Sequence, residues 1–186
     1  IKTGFSISPI SLPLSNKIFI SDKPTFNGLF GVFWDSLPDG WGELLVGRML
    51  NKHGINFDKL SPLQKLSIIN KNGLGALEYE PNKSLETLNE NYNLDEIAKE
   101  VEEVLNDEID GVDLDVIYNL GGSSGGARPK AHIIYNGEEW IVKFSCAIDP
   151  KNIGEKEFAA NQLAKKCGIN VNEFKLFDSK ICSGFF

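Results

Sequence analysis

The sequence contains few of the residues that build metal and disulfide sites. Among its 186 residues are three cysteines, Cys146, Cys167 and Cys182, and two histidines. Neither set shows paired or metal-ligand spacing, which argues against a zinc site and favours reduced thiols in the cytoplasm. The sequence also lacks a signal peptide and any apolar run long enough to span a bilayer, so no membrane interaction is predicted.

Positive charge is scarce as well. The chain has 19 Lys and Arg against 26 Asp and Glu, for a net charge of -7, and its basic residues form no stripe. This balance argues against direct nucleic-acid binding, although a partner that binds DNA remains possible. A hydrophobic content of 41% is enough for a sizeable core, in one domain or two small ones.

The two best-known phosphate-loop templates are missing, yet a glycine-rich loop is present. There is no G-x-G-x-x-G, and in residues 121–130 (GGSSGGARPK) the lysine comes too late for G-x-x-x-x-G-K-[ST]. Consecutive glycines can turn their N–H groups into one concavity that attracts anions, and Ser123 and Ser124 add hydroxyl donors. The sequence therefore predicts an anion-binding loop, with a flexible connector as the alternative.

A hairpin follows the loop. Asn136-Gly137 between two apolar runs predicts a type I′ turn, which fixes the register so that Tyr135 faces Glu138. Counting outward, Lys130 faces Lys143. Like charges directly opposite each other destabilise a sheet, so this pairing favours an anion, such as a nucleotide phosphate, held beside them.

Residues 154–168 predict a helix that ends at Gly168, with Phe158, Leu163, Ala164 and Cys167 as its inward stripe. Glu157 lies near its start. A strand lysine paired with a glutamate on the following helix is how protein kinases orient that lysine toward the α and β phosphates. A solvated position or an interaction with the helix dipole is the alternative for Glu157.

Four upstream segments predict structure rather than chemistry. Turn residues lead into a helix from about Trp41 to Lys52, with Asp39 as its N-cap and Leu44, Leu45, Met49 and Leu50 on its buried face. Residues 75–79 predict a short strand, and the polar residues 81–92 a surface linker. A further helix is indicated by the apolar spacing of Leu94, Ile97, Val101, Val104 and Leu105.

Several of these segments resemble the HipA family of bacterial serine/threonine kinase toxins. The loop and strand start at 123–131, the strand end at 141–143 and the helix region 157–169 are similar to family blocks in the family's order. Residues 33–42 (FWDSLPDGWG) are similar to the family's N-terminal signature, and residues 75–81 (GALEYEP) to a second block. Together the matches extend over nearly the whole chain.

The resemblance implies an α+β fold: a HipA N-terminal module over residues 1–81, then a kinase-like N-lobe over 93–186, in which an antiparallel sheet carries the glycine-rich loop and one packed helix. The sequence starts at Ile1 without a methionine and stops in what the pattern indicates is a strand ending at Phe186. We therefore expect a fragment that lacks the C-terminal catalytic lobe.

The resemblance also implies roles for individual residues. Ser124, Gly125, Gly126 and Ala127 would bind the phosphates of ATP through their backbone, Lys143 would pair with the α and β phosphates, and Glu157 would orient Lys143. Ser123 matches the serine on which family members phosphorylate themselves, although the adjacent Ser124 leaves the modified residue open. The catalytic aspartate and the Mg²⁺ ligands would lie in the C-terminal lobe, so the chain alone is expected to be inactive.

The implied activity is transfer of phosphate from Mg-ATP to a Ser or Thr of a protein substrate, and the implied partner is a DNA-binding antitoxin of the HipB type. Three alternatives stay open at this point. The chain could be a non-catalytic module that binds the antitoxin, part of a kinase for a small molecule or lipid, or an unrelated anion-binding domain.

Overall fold

The computed structural model describes residues 6–21, 24–69, 77–80, 93–108, 110–121 and 125–186. Six helices and two strands are defined in the described residues: α1 Gly31–Trp34, α2 Gly40–Lys52, α3 Pro62–Ile68, α4 Leu94–Leu105, α5 Leu114–Gly121, β1 Lys130–Tyr135, β2 Glu138–Lys143 and α6 Ile153–Lys166. Short 3-10 turns lie at Pro24–Phe26 and Phe57–Lys59. Helices combined with a two-stranded antiparallel sheet make this an α+β architecture.

The chain forms two compact units. One contains residues 1–37 and 58–84, and the other contains residues 38–57 and 85–186. Helix α2 thus belongs to the same unit as the hairpin, although the predicted N-terminal module would include it. The predicted linker, residues 81–92, lies outside the described residues, and the division at 81 and 93 stays a prediction.

In the first unit, helix α3 begins with a complete capping box. Ser61 accepts a hydrogen bond from the Gln64 N–H through its Oγ (3.4 Å), and Gln64 Oε1 accepts one from the Ser61 N–H (2.9 Å). Pro62 fills the first helical position, where no N–H is needed. The strand predicted at 75–79 lies partly outside the described residues, and residues 77–80 do not form a strand.

In the second unit, helix α2 packs against α5, and α5 packs against both α4 and β1. Residues from each of these elements, and from β2, are buried almost completely, namely Trp41, Leu45, Val46, Val101, Val104, Ile117, Ala131 and Val142. The predicted α2 boundaries are confirmed to within one residue, and its buried face holds Leu45, Met49 and Leu50, whereas Leu44 is half-buried. The apolar spacing of α4 is confirmed by the burial of Ile97, Val101 and Val104.

The hairpin register is confirmed at every position. Lys130 pairs with Lys143 and Tyr135 with Glu138, and the φ angles of Asn136 (54°) and Gly137 (81°) are both positive, as a type I′ turn requires. Alternation places Ala131, Ile133 and Val142 on the buried face. The opposite face therefore carries the lysines.

Helix α6 differs from its prediction. Its boundaries and the left-handed Gly168 (φ 77°) are as expected, but Leu163 is 63% exposed, Cys167 is exposed, and the buried residue of the helix is Gly154. The predicted inward stripe is therefore wrong for Leu163 and Cys167, whereas Phe158 and Ala164 are half-buried and Phe158 packs on Phe174 with ring centroids 5.4 Å apart. The helix that packs on β1 is α5.

Among the helices of the described residues, none combines the length and apolar character needed to cross a membrane.

Candidate functional site

The glycine-rich loop joins the end of α5 to the start of β1. Gly125, Gly126 and Ala127 are exposed, whereas Ser123 and Ser124 lie outside the described residues. Gly126 has a φ of 99°, which an L side chain rarely adopts. The backbone of residues 125–127 is therefore exposed to solvent, and its conformation requires glycine at position 126.

The start of α2 holds this loop. Asp39 Oδ1 accepts a hydrogen bond from the Gly126 N–H (2.8 Å), and the Trp41 N–H donates to the Gly126 carbonyl (3.2 Å). Gly40 allows the approach, because a Cβ there would lie 2.6 Å from Ala127 Cα. Asp39 occupies the N-cap position as predicted, but its side chain makes no capping bond to α2 and reaches the loop instead.

Each of the two lysines on this face of the hairpin makes one polar contact within the protein. Lys143 Nζ lies 2.5 Å from Glu157 Oε2 on α6, with the two side chains 41% and 27% exposed. Lys130 Nζ donates to the Gly125 carbonyl. The structure thus brings together the predicted lysine, the predicted glutamate and the described part of the loop. The roles assigned to these residues stay predictions.

Burial lowers the pKa of two basic groups on this face. Desolvation lowers the pKa of Lys130, and the charge of Lys143 lowers it further, while the negative charge of Asp39 opposes both. Desolvation also lowers the pKa of His132, so His132 is neutral near pH 7. The positive charge of the face therefore comes from its lysines.

The same face carries exposed apolar side chains. Ile134 is 64% exposed and Ile141 is 51% exposed. Both lie on the same face as the lysines, because side chains alternate between the two faces along each strand. Ile141 lies two residues before Lys143 on β2.

A second ion pair ties the loop to the segment after β2. Arg128 pairs with Asp149, whose side chain is 4% exposed. Asp149 Oδ2 also accepts from the Cys146 N–H and the Cys146 thiol, both at 3.0 Å. These donors, Arg128 first, lower the pKa of Asp149 from 3.8 to about 2. Burial, followed by the bond to Asp149, raises the pKa of the Cys146 thiol, which argues against a reactive cysteine.

The low pKa of Asp149 predicts an acid-dependent loss of stability. Because the folded pKa is below the unfolded value of 3.8, the stabilisation is complete above about pH 4 and disappears as the pH falls toward 2. Asp149→Asn is expected to cost about 1–2 kcal/mol at pH 7, since the exposed side of Arg128 is screened by solvent. Urea unfolding of both proteins from pH 7 to pH 2 measures this difference, and a difference that stayed constant to pH 2 would contradict it.

Sequence reasoning missed the contact of Asp39 with the loop and the pair of Arg128 with Asp149. Both partners of the first contact belong to motifs that the sequence singled out, residues 33–42 and 121–130, but they are 87 positions apart. No local sequence pattern indicates a contact over such a separation.

Within the described residues, no group of three or more His, Cys, Asp or Glu side chains is placed to hold a metal ion.

Two family models match the chain in this arrangement. The HipA N-terminal domain matches residues 1–80, which include Asp39, and the HipA-like C-terminal domain matches residues 122–185, which include Lys143 and Glu157. The chain is a HipA-like protein. In this HipA-like chain the contact between Asp39 and Gly126 joins residues that belong to different family domains.

No curated protein and no solved structure matches the HipA-like chain. Proteins of the HipA family are generally serine/threonine kinases and normally pair with a HipB antitoxin. The chain thus has an α+β architecture, and its HipA-like domains indicate the HipA toxin family.

Proposed function

We propose that the protein is an ATP-dependent serine/threonine protein kinase of the HipA toxin type and that this chain supplies its nucleotide-binding part. The observation that carries the proposal is the ion pair of Lys143 with Glu157 at 2.5 Å, beside a glycine-rich loop. A lysine that is oriented by a glutamate from the next helix is the arrangement with which protein kinases bind the α and β phosphates. The hairpin, its loop and α6 would then form a kinase-like N-lobe.

Phosphate binding follows from the charges and donors of this face. Lys130 and Lys143 lie directly opposite each other, an arrangement that costs energy in the absence of an anion. The N–H groups of Gly125, Gly126 and Ala127, with that of Ser124, would contact the phosphates, and Glu157 would hold Lys143 in place. An ATP phosphate group would neutralise the lysine pair.

The same face of the hairpin also has an apolar surface that the nucleobase could contact. Ile134 and Ile141 expose apolar side chains on the face of the lysines. A nucleobase is flat and largely apolar on its faces, so packing it on Ile141 would remove apolar area from water. The same strand would then contact the base through Ile141 and the phosphates through Lys143.

Magnesium enters this proposal only with the nucleotide. In the part of the chain that the structure describes, no cluster of three or more His, Cys, Asp or Glu side chains is placed to hold a metal ion. When Mg²⁺ is bound, it neutralises charge on the β and γ phosphates. The contribution proposed for this chain is to bind and orient the phosphates.

The test is a titration of Mg-ATP into the 186-residue chain and into the full-length gene product. Lys143→Ala is expected to weaken binding at least about tenfold, because it removes a charged hydrogen-bond donor to phosphate. Isothermal titration calorimetry measures both affinities. Phosphate transfer to Ser123 and Ser124 is measured by mass spectrometry. We expect it in the full-length protein, and we expect Lys143→Ala to abolish it.

Lys156→Ala is the matched control, since it removes the same charge from an exposed position on α6 next to Glu157. Its affinity is expected to stay within about twofold of the wild-type value, as for surface charges screened by salt. Equal weakening by both variants would mean that net charge, rather than a site at Lys143, governs binding. A full-length protein that bound no ATP would overturn the proposal.

Autophosphorylation of Ser123 would switch this function off. A phosphate there adds up to about two negative charges to a loop that is proposed to bind the phosphates of ATP, so the loop and the nucleotide would repel each other. The same mass spectra distinguish Ser123 from Ser124. The intermolecular phosphate acceptor of the proposal is a Ser or Thr of a protein substrate.

Binding of a HipB-type antitoxin is the second function proposed, and it falls to the N-terminal part of the chain. The first unit contains an apolar cavity of about 460 Å³. It is lined mainly by Leu29, Phe30, Phe33, Leu63 and Leu66. A concave apolar surface of this size suits an apolar side chain from a partner.

A further inference from the structure

One peptide unit of the glycine-rich loop is held by opposite charges on its two sides. Its carbonyl, from Gly125, accepts a hydrogen bond from Lys130 Nζ, and its N–H, from Gly126, donates to Asp39 Oδ1 at 2.8 Å. Asp39 is close enough to Lys130 for its charge to raise the lysine pKa against the larger effect of burial. The carboxylate therefore lies beside both the N–H and the lysine.

The Gly126 N–H and Lys130 are among the donors that the proposed site would offer to a phosphate. An N–H of the loop and the ammonium group of Lys130 can both donate to an anion at this end of the hairpin, beside Lys143. In the structure, both are engaged within the protein, and the N–H is taken by a carboxylate. A triphosphate that approached the loop would meet the negative charge of Asp39 in the place of an open donor.

We propose that Asp39 is a latch that competes with the nucleotide for the glycine-rich loop. In the free protein the carboxylate occupies the Gly126 N–H, and ATP binds only after Asp39 releases it and Lys130 leaves the Gly125 carbonyl. This inference rests on the proposed nucleotide-binding function. The competing carboxylate of Asp39 lies in the segment that the HipA N-terminal domain matches.

The surrounding contacts allow this release without moving the whole loop. Asp39 is exposed and makes no capping bond to α2, so its side chain can rotate into water. The neighbouring peptide of the loop stays attached through the bond from the Trp41 N–H to the Gly126 carbonyl, at 3.2 Å. A rotation of one side chain therefore frees the donor while α2 still positions the loop.

The experiment compares Mg-ATP affinity in wild type, Asp39→Asn and Asp35→Asn, each with and without Lys143→Ala, after circular dichroism has shown that each variant is folded. Asp39→Asn keeps the shape of the side chain but removes its charge, and we expect about fivefold tighter binding from the lost repulsion. Asp35→Asn removes an equal charge four residues away, from an exposed position, and is expected to change the affinity less than about twofold.

Asp39→Glu provides a second test, because it keeps the charge and is expected to stay within about twofold of wild type. Tighter binding by Asp39→Asn that requires Lys143 supports the latch. Unchanged or weaker binding by Asp39→Asn, in a protein whose wild type binds ATP through Lys143, overturns the latch and leaves the proposed function intact. Absence of Lys143-dependent binding in every variant overturns both.

Discussion

Replacing Gly121 by alanine is expected to destabilise the protein by about 3 kcal/mol or more. Gly121 is the last residue of α5 and is buried where α5 crosses β1, and a Cβ there would lie 1.8 Å from the Lys130 carbonyl oxygen. That oxygen belongs to the backbone and cannot rotate away as a side chain could. Helix α5 would have to move away from β1, which would open the core around Trp41.

Gly47→Ala is the matched control, because Gly47 is also helical but has open space around its Cβ position. It is expected to raise stability by up to about 1 kcal/mol, since alanine lowers the entropy of the unfolded chain and favours the helix. Urea unfolding of the two variants and the wild type gives both differences. A loss below about 1 kcal/mol for Gly121→Ala would show that α5 does not contact β1 as closely as described.

Gly154→Ala is expected to cost about 2 kcal/mol and to weaken Mg-ATP binding by a factor of about three or more, if the proposed function holds. A Cβ at Gly154 would lie 2.3 Å from the Gly184 carbonyl oxygen. The segment with Gly184 continues to Phe186, whose carbonyl accepts a bond from the Lys143 N–H at 2.7 Å. A shift of α6 away from this segment would separate Glu157 from Lys143.

Stability and binding are measured separately for this variant, by urea unfolding and by titration of the folded protein. Gly47→Ala again serves as control and is expected to leave the affinity unchanged. If Gly154→Ala lost stability but bound Mg-ATP as wild type does, either the substitution would not have moved Glu157 away from Lys143 or binding would not need this ion pair.

The hairpin shows how far local chemistry reaches. Asn136 and Gly137 both accept positive φ angles at little cost, which selects a type I′ turn, and the turn fixes each pair down to Lys130 and Lys143. Helices α2 and α4 were predictable for a similar reason, because the spacing of their apolar residues repeats with the helical period. In each case the information lies within about fifteen residues of sequence.

Helix α6 shows where this reasoning ends. Its apolar residues are spaced as if one side were buried, yet Leu163 is largely exposed and the close contact of the helix is made by a glycine, Gly154, against Gly184. A glycine carries no apolar signal, so spacing alone could not identify the buried side. Which face of a helix is covered depends on which segment packs there.

The sequence by itself determined the α+β composition, the hairpin with its opposed lysines and the presence of a glycine-rich loop, because turns and helices are set by neighbours along the chain. The tertiary structure alone decided that Asp39 hydrogen-bonds to Gly126 and that α5 rather than α6 packs on β1, and it supplied the geometry of the pair of Glu157 with Lys143 that the resemblance implied. These contacts join residues that are distant in sequence, and they form where packing brings their elements together. The candidate site depends on both levels, with its donors set locally and their partners set by the fold.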